Sequence, residues 1–117
     1  IIDCGCPLNV TGRNWLNYFE QSLNGKKLQR LPCDEYFKFG PSSIYHSTQK
    51  VMIPIQLGNL ETEIETCVVE CDIPLLISST QLELWEVNQD YKNRILRIGI
   101  TNEDIPIEKL DTGHYAL

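Results

Sequence analysis

The sequence predicts an all-β chain built from successive hairpins, with two short helices. Between Tyr36 and Val69, apolar residues alternate with polar ones, which is the two-residue period of half-buried strands. Turn-forming pairs, Gly40-Pro41 and Gly58-Asn59, interrupt the alternation at intervals that suit hairpins. Two brief stretches elsewhere have the three-to-four-residue apolar spacing of an amphipathic helix.

The N-terminal part predicts a strand end, a turn and a helix. Ile1 and Ile2 are interpreted as the end of a buried strand, and residues 3–7 as a turn punctuated by Gly and Pro. A helix is expected over residues 13–24, capped by Thr11 and stopped by Gly25. Its apolar positions 15, 16, 19 and 23 share one face.

The middle of the chain predicts hairpins in series. Phe37 and Phe39 alternate with polar neighbours, and residues 44–47 are expected to return beside them after a turn at residues 40–43. A longer strand over residues 51–57 turns at Gly58-Asn59 and returns over residues 64–69.

The last third predicts a buried strand, a helix and a final hairpin. Residues 72–77 form a continuous apolar run, which is typical of a strand buried on both faces. Ser78 or Ser79 is expected to cap a helix over residues 80–86. A hairpin around Lys92-Asn93 follows, and Ile100, Ile105 and Ile107 are assigned to the last strands.

Length and charge bound the class of protein. The 117 residues, with a formal net charge of -6, suit one domain spanning residues 1–117. The surplus of acid argues against a nucleic-acid or anionic-membrane surface, because both need clustered Lys and Arg. The opening on apolar residues without Met predicts a domain excised from a longer polyprotein, lacking most of the strand before Asp3.

The cysteines predict a reducing, intracellular compartment. An odd count of five in a chain with an ordinary apolar content favours free thiols over a disulfide framework, so a cytoplasmic location is expected. Cys4, Cys6, Cys67 and Cys71 lack the spacing of a zinc knuckle, and no metal or cofactor is expected. Asn9 opens a glycosylation sequon, which matters only in a secreted chain.

The most informative motif is Asp3-Cys4-Gly5, which places an acid between an apolar strand end and a tight turn. Downstream come a Gly-Pro-Ser-Ser hairpin, two alternating strands, and the run Ile73-Pro-Leu-Leu-Ile-Ser leading directly into a helix. This order resembles the retropepsins, the retroviral and retrotransposon-type aspartic proteases, over nearly the whole chain. The family motif is Asp-Ser/Thr-Gly, which Asp3-Cys4-Gly5 matches at two of three places.

The resemblance implies a closed acid-protease-type β-barrel and a set of site residues. Asp3 would be the catalytic acid, with Cys4 and Gly5 in the active-site loop. The flap that closes over the substrate would comprise Phe39, Gly40, Pro41, Ser42 and Ser43. The strand beside the active-site loop would comprise Leu76, Ile77 and Ser78. The implied protein is a homodimer that cleaves an extended peptide, such as its own polyprotein, between its two Asp3 carboxyls.

Departures from the family pattern keep a second hypothesis open. Cys4 replaces a hydroxyl that braces the two active-site loops, and a thiol is a weaker donor and acceptor. Ser78 stands where the family usually has Gly. A catalytically degenerate dimerisation or peptide-binding module is therefore the alternative, with a cysteine-based or zinc-binding domain as a third option.

A second acidic triplet must be distinguished from the first. Asp111-Thr112-Gly113 spells the complete family motif, but four residues follow it. A catalytic loop of this type needs the flap and the apolar strand downstream. Asp111 is therefore interpreted as a turn residue.

Overall fold

The computed structural model describes residues 1–3, 7–24 and 26–117, with Asp3 described by its backbone. This part of the chain contains eleven strands and two helices. The strands are β1 (Ile2–Asp3), β2 (Val10–Gly12), β3 (Arg30–Lys38), β4 (Ile44–Leu57), β5 (Leu60–Val69), β6 (Ile77–Ser78), β7 (Val87–Asp90), β8 (Ile95–Ile98), β9 (Glu103–Pro106), β10 (Glu108–Lys109) and β11 (Tyr115–Ala116). The helices are α1 (Arg13–Ser22) and α2 (Ser79–Leu84).

The largest sheet has the order β2-β5-β4-β3 and confirms the predicted hairpins. β3 and β4 pair antiparallel, and β4 pairs with β5 around the two-residue turn at Gly58 and Asn59. Val51 and Ile53 of β4 have no exposed surface, Leu57 is buried and Ile55 is partly buried, as their two-residue period predicted.

Helix α1 begins and ends differently from the prediction. Its N-cap is Gly12, with no side-chain cap bond, and the helix ends at Ser22, short of residue 24. Thr11 does not cap it, because Thr11 is buried in β2, where it pairs in parallel with Val68. The predicted stop, Gly25, lies outside the described residues.

Gly12 is required by close packing at the start of α1. A Cβ at this position would lie 2.1 Å from the backbone oxygen of Cys71 and 2.7 Å from that of Ile73. These distances are far below van der Waals contact, so a side chain would push α1 away from residues 71–73. Glycine thus fixes the position at which β2 becomes helix.

A second sheet has the order β10-β11-β1-β6. The predicted strand over residues 72–77 is wrong in extent, because regular pairing is confined to Ile77–Ser78 and a single bridge joins Val10 and Leu76. Leu75, Leu76 and Ile77 are buried as expected, while Pro74 is exposed. The apolar run is therefore a buried connection that pairs with two different strands in turn.

The third sheet, β7-β8-β9, holds the predicted C-terminal hairpin. α2 precedes it and is capped by Ser78, whose Oγ accepts a hydrogen bond from the Gln81 N–H at 3.1 Å. Ile100, assigned to a strand from the sequence, lies instead in the turn after β8 and is 47% exposed.

The all-β class is confirmed, but the closed barrel is not: the described strands form three open sheets. They share one main core, in which residues of the first helix, both long strands and the third sheet meet. Its buried members include Leu16, Ile53, Ile64, Trp85, Leu96 and Ile98. Across the described ranges, the structure contains no helix with the length and apolar character needed to cross a membrane.

Candidate active site

Asp3 is the last residue of β1, and its backbone lies beside β6. The two strands run parallel, with Ile2 opposite Ile77 and Asp3 opposite Ser78. The Ile77 N–H donates to the Ile1 carbonyl at 2.8 Å. The two segments named from the sequence, the end of the first strand and the strand at residues 76–78, are therefore neighbours. Cys4 and Gly5 lie outside the described residues.

The segment Leu76 to Ser78 also contacts the strand that follows the active-site loop. Val10 and Leu76 exchange backbone hydrogen bonds of 3.2 and 2.8 Å. One short segment thus pairs with β1 through Ile77 and Ser78 and with β2 through Leu76. Because both flanks of the loop bond to the same three residues, the loop's two ends are held at a fixed separation.

Asn9 is a structural residue of this site that the sequence reasoning missed. It is buried, and its Oδ1 accepts from the Ser78 N–H at 2.8 Å. Its Nδ2 donates to the Glu65 carbonyl at 3.1 Å and to Gln81 Oε1 at 3.2 Å. The side chain therefore ties β6, β5 and α2 together. The local sequence offers no signal for this role, since its partners lie more than fifty residues away.

The hairpin of β3 and β4, with its tip at residues 39–43, is named here the flap hairpin. The Phe39 N–H donates to the Ser43 carbonyl at 3.0 Å and closes the tip. Gly40 has φ +92, a conformation that L side chains rarely adopt. The predicted flap residues are thus at the tip of a hairpin: Phe39, Gly40, Pro41, Ser42 and Ser43.

An apolar cluster connects the flap hairpin to the strands that flank the active-site loop. Its buried members are Val10, Phe37, Cys67, Val69 and Leu76. Ile1, Phe39, Tyr45 and Ile73 pack against it while remaining partly exposed. The rings of Phe37 and Phe39 stack with centroids 6.1 Å apart, and Phe39 meets Tyr45 at 5.8 Å. The flap hairpin therefore shares an apolar cluster with Ile1, which precedes Asp3, and with Val10 of β2.

The side chains of Cys33, Ser47 and Cys67 lie near the base of this hairpin. Cys33 Sγ lies 3.3 Å from Ser47 Oγ, and the Val68 N–H donates to the same Oγ at 3.2 Å. Burial, followed by the neighbouring Cys33, raises the pKa of the Cys67 thiol to about 12. Cys67 therefore stays protonated at neutral pH, as expected for a small buried core residue.

The outer face of the flap hairpin carries an exposed contact between His46 and Asp34. His46 Nε2 lies 2.6 Å from Asp34 Oδ1, and the imidazole stacks on Tyr36 with centroids 4.4 Å apart. The neighbouring Tyr45 packs against the apolar cluster, and successive side chains of a strand alternate, so His46 lies on the opposite face of the hairpin. The other histidine, His114, lies 3.1 Å from Thr112 Oγ1 in an exposed turn.

Asp111 lies in a turn, as predicted. The turn is closed by hydrogen bonds from the Gly113 N–H to the Leu110 carbonyl and from the Leu110 N–H to the His114 carbonyl. Gly113 has φ +89, which accounts for glycine at that position. Within the described ranges, no three His, Cys, Asp or Glu side chains form a group that could hold a metal ion.

The fold is similar to that in a crystal structure of the retroviral protease-like domain of Ddi1 from Leishmania major, with a TM-score of 0.62. The match covers 91% of this chain and 80% of that chain at 16% sequence identity. No protein-family model matches the sequence, and no curated protein matches it. The likeness shows the fold: the chain has a retroviral protease-like fold.

Proposed function

We propose that this retroviral protease-like domain is an aspartic endopeptidase of retroelement type that acts as a homodimer on extended peptides. The observation that carries the proposal is the placement of Asp3 at the end of β1, directly opposite Ser78 of β6. The flap hairpin, which packs on Val10 and Leu76 beside that point, supports the same function.

The chemistry requires two carboxyls. Two carboxyls about 3 Å apart cannot both ionise, so they share a proton, and one acts as base while the other acts as acid toward one water molecule. Each chain supplies one suitable acid, Asp3. A twofold axis beside the active-site loop would bring the second Asp3 from another copy, and such isologous contacts are the commonest in oligomers. The apparent pKa values would then belong to the pair.

The flap hairpin would hold the substrate. Strand-like peptides bind through their backbone groups to exposed hairpin edges, and closure of a flap excludes water from the reacting centre. The partly exposed Phe39, Tyr45 and Ile73 offer apolar contacts to the substrate's side chains. The polyprotein from which such a domain is released is the proposed substrate.

Cys4 favours a second candidate function, a catalytically degenerate module that keeps the fold and binds peptides. The thiol is a weaker donor and acceptor than the hydroxyl it replaces, so the brace between the two loops of a dimer would be weaker. The two functions differ in what they require of Asp3. Catalysis needs its carboxyl, whereas binding through the flap hairpin does not.

A peptide-cleavage experiment with two matched variants tests the proposal. The wild-type chain is incubated with a diverse peptide library between pH 4 and 7, and the products are identified by mass spectrometry. We expect Asp3→Asn to abolish cleavage and Asp111→Asn to leave it unchanged. The two variants are matched because each replaces an Asp that begins an Asp-x-Gly triplet. Circular dichroism checks that both variants remain folded.

The possible outcomes separate the two functions. Cleavage that survives Asp3→Asn would refute the aspartic mechanism. A folded wild-type dimer that cleaves nothing while retaining peptides from the library would favour the binding module.

A further inference from the structure

Half of β5 has an unpaired backbone edge. β5 lies between β4 and β2, but β2 is three residues long and pairs with residues 67–69. The register around the two-residue turn, with Leu57 opposite Leu60, directs the N–H and C=O groups of Glu61 and Glu63 away from β4. Cys67 lies an even number of residues after Glu61 and Glu63, so its N–H also points away from β4, and it donates to the Asn9 carbonyl at 3.0 Å. In the described part of the chain, no other strand bonds to the corresponding groups of Glu61 and Glu63, and the Glu63 carbonyl accepts only a long bond from Thr62 Oγ1 at 3.5 Å.

The opposite edge of the same sheet is protected. β3 carries Pro32 and a shift of register between Pro32 and Glu35, and both features block pairing with another strand. On β4, Pro54 stands opposite Glu63 and removes one outward N–H from that side. β5 has neither a proline nor a bulge at residues 60–66. The edge without a proline or a bulge is therefore confined to one side of the sheet.

A groove of about 510 Å³ lies along this unpaired edge. Leu60 and Thr62 border it from the core side of the sheet, and Glu63 and Glu65 from the solvent side. The far wall is formed by Leu84 and Trp85 at the end of α2 and by Ile100. Leu84 and Ile100 are large apolar residues that are 68% and 47% exposed. The groove thus offers backbone groups on one side and apolar side chains on the other.

The charge of the groove has one sign. Its described lining residues include Glu63 and Glu65 but neither Lys nor Arg. Glu65 pairs with Lys50 at 3.1 Å, whereas the Glu63 carboxylate has no ion pair with a described residue. Glu61 lies on the same face two residues away. A ligand that fits must therefore bring positive charge to the solvent side and apolar groups to the core side.

We propose that an extended segment of a partner protein, with alternating apolar and Lys or Arg side chains, binds here as an additional strand on β5. Side chains of an added strand alternate between the two faces of the sheet. Those on the core side would contact Leu60, Leu84 and Trp85, and those on the solvent side would lie opposite the acidic residues. Backbone hydrogen bonds to Glu61 and Glu63 supply the pairing. This interaction goes beyond the proposed hydrolysis and does not use Asp3.

The test uses a fluorescein-labelled seven-residue peptide of alternating valine and lysine, with both termini blocked. Binding is followed by fluorescence anisotropy in the Asp3→Asn background, so that hydrolysis cannot remove the probe and failure of the proposed function does not affect the result. We expect saturable binding that weakens about fivefold in Glu61→Gln/Glu63→Gln, since each exposed ion pair contributes a factor of about two to three. The control Glu70→Gln/Glu108→Gln removes two exposed carboxylates elsewhere and should leave the affinity unchanged.

Two further probes separate strand addition from simple charge attraction. A peptide of the same sequence that is N-methylated at alternate residues loses one hydrogen-bonding edge, and we expect it not to bind. Leu84→Ser, which shortens an exposed wall residue, should also weaken binding of the unmodified peptide.

Several results would overturn the proposal. These are equal binding of the methylated peptide, equal weakening by the control carboxylate pair, or no binding of the probe at millimolar concentration. Sedimentation showing that Leu84→Ser converts a dimer to a monomer would assign the groove to a second copy of this chain, and would overturn it as well.

Discussion

The base and the tip of the flap hairpin are held very differently. At the base, the buried Glu20 of α1 accepts hydrogen bonds from both terminal nitrogens of Arg30, the first residue of β3, and from the Leu28 N–H. At the tip, a Cβ added to Gly40 would have no heavy atom within 4 Å. Stability is thus concentrated where the hairpin leaves the core, while Gly40, Pro41 and Ser42 at the tip are exposed and, unlike Phe39, lie outside the apolar cluster.

The largest effect is expected at the base. Glu20→Ala should lower the free energy of unfolding by about 3–4 kcal/mol, because it leaves the partly buried Arg30 charge without its partner. The Arg30 hydrogen bonds, assisted by the Leu28 N–H, outweigh burial and lower the pKa of Glu20 below its ordinary value of 4.5. The stability that Glu20 contributes is therefore present above pH 4.5 and is lost as the pH falls. Urea unfolding of both proteins between pH 3 and 7 measures both effects.

Glu70→Ala is the matched control for this prediction. Glu70 also pairs with an arginine, Arg13, at 3.0 Å, but its side chain is 74% exposed. Exposed pairs contribute little, so the control should unfold at the same urea concentration as the wild type. Equal losses in the two variants would mean that the base is not specially anchored.

The buried thiol beneath the base should affect stability in alkali. The pKa of Cys67 is raised from 9.0 to about 12 in the folded protein, chiefly by burial. The folded state therefore holds this proton more tightly than the unfolded chain, and its contribution is complete below pH 9 and lost as the pH rises toward 12. Cys67→Ala should lose less stability than the wild type between pH 9 and 11 in thermal unfolding. Parallel pH curves for the two proteins would contradict a buried, protonated thiol.

The smallest effect is expected at the tip. Gly40→Ala should cost about 1 kcal/mol, which reflects the positive φ without any steric contact. Gly58→Ala, at the other turn of β4, is the comparison, because its Cβ would lie 2.3 Å from Oε2 of Glu103. That carboxylate ends a flexible side chain that can move aside, so Gly58→Ala should add only the loss of its exposed hydrogen bond from the Asn59 N–H to the cost of the positive φ, and should lose somewhat more stability than Gly40→Ala. A reversed order would show that the tip is packed against other groups.

The hairpins could be predicted from the sequence because their information is local. Alternation along β4 and β5 and the Gly58-Asn59 turn specify pairing without reference to distant residues. Thr11 shows where local information fails: it has the chemistry of a helix cap, but pairing with Val68 places it in a strand. The apolar run at residues 72–77 was correctly predicted to be buried, while its irregular backbone depends on pairing with two separate strands.

The order of the motifs along the chain was enough to propose a candidate site. It did not reveal the buried polar residues that stabilise the surrounding structure. The family resemblance led to the hypothesis that Asp3, the hairpin tip and residues 76–78 form the site. Asn9 and Glu20 were missed because their hydrogen-bond partners could not be read from the local sequence. The Ser78 partner of Asn9 is distant in sequence, and the Leu28 and Arg30 partners of Glu20 lie beyond the end of its helix. A buried polar residue is recognised by its partners, and these become known only with the fold.

The most direct test of the proposed dimeric mechanism is a subunit-mixing assay. Wild-type chain is mixed with a ninefold excess of Asp3→Asn, and cleavage of a peptide substrate is measured per chain that carries Asp3, with the active variant Asp111→Asn as the control diluent. If each reaction needs one Asp3 from each of two copies, random pairing lowers the activity to about a tenth, while the control leaves it unchanged. Activity that is independent of the Asp3→Asn excess would contradict a shared dyad.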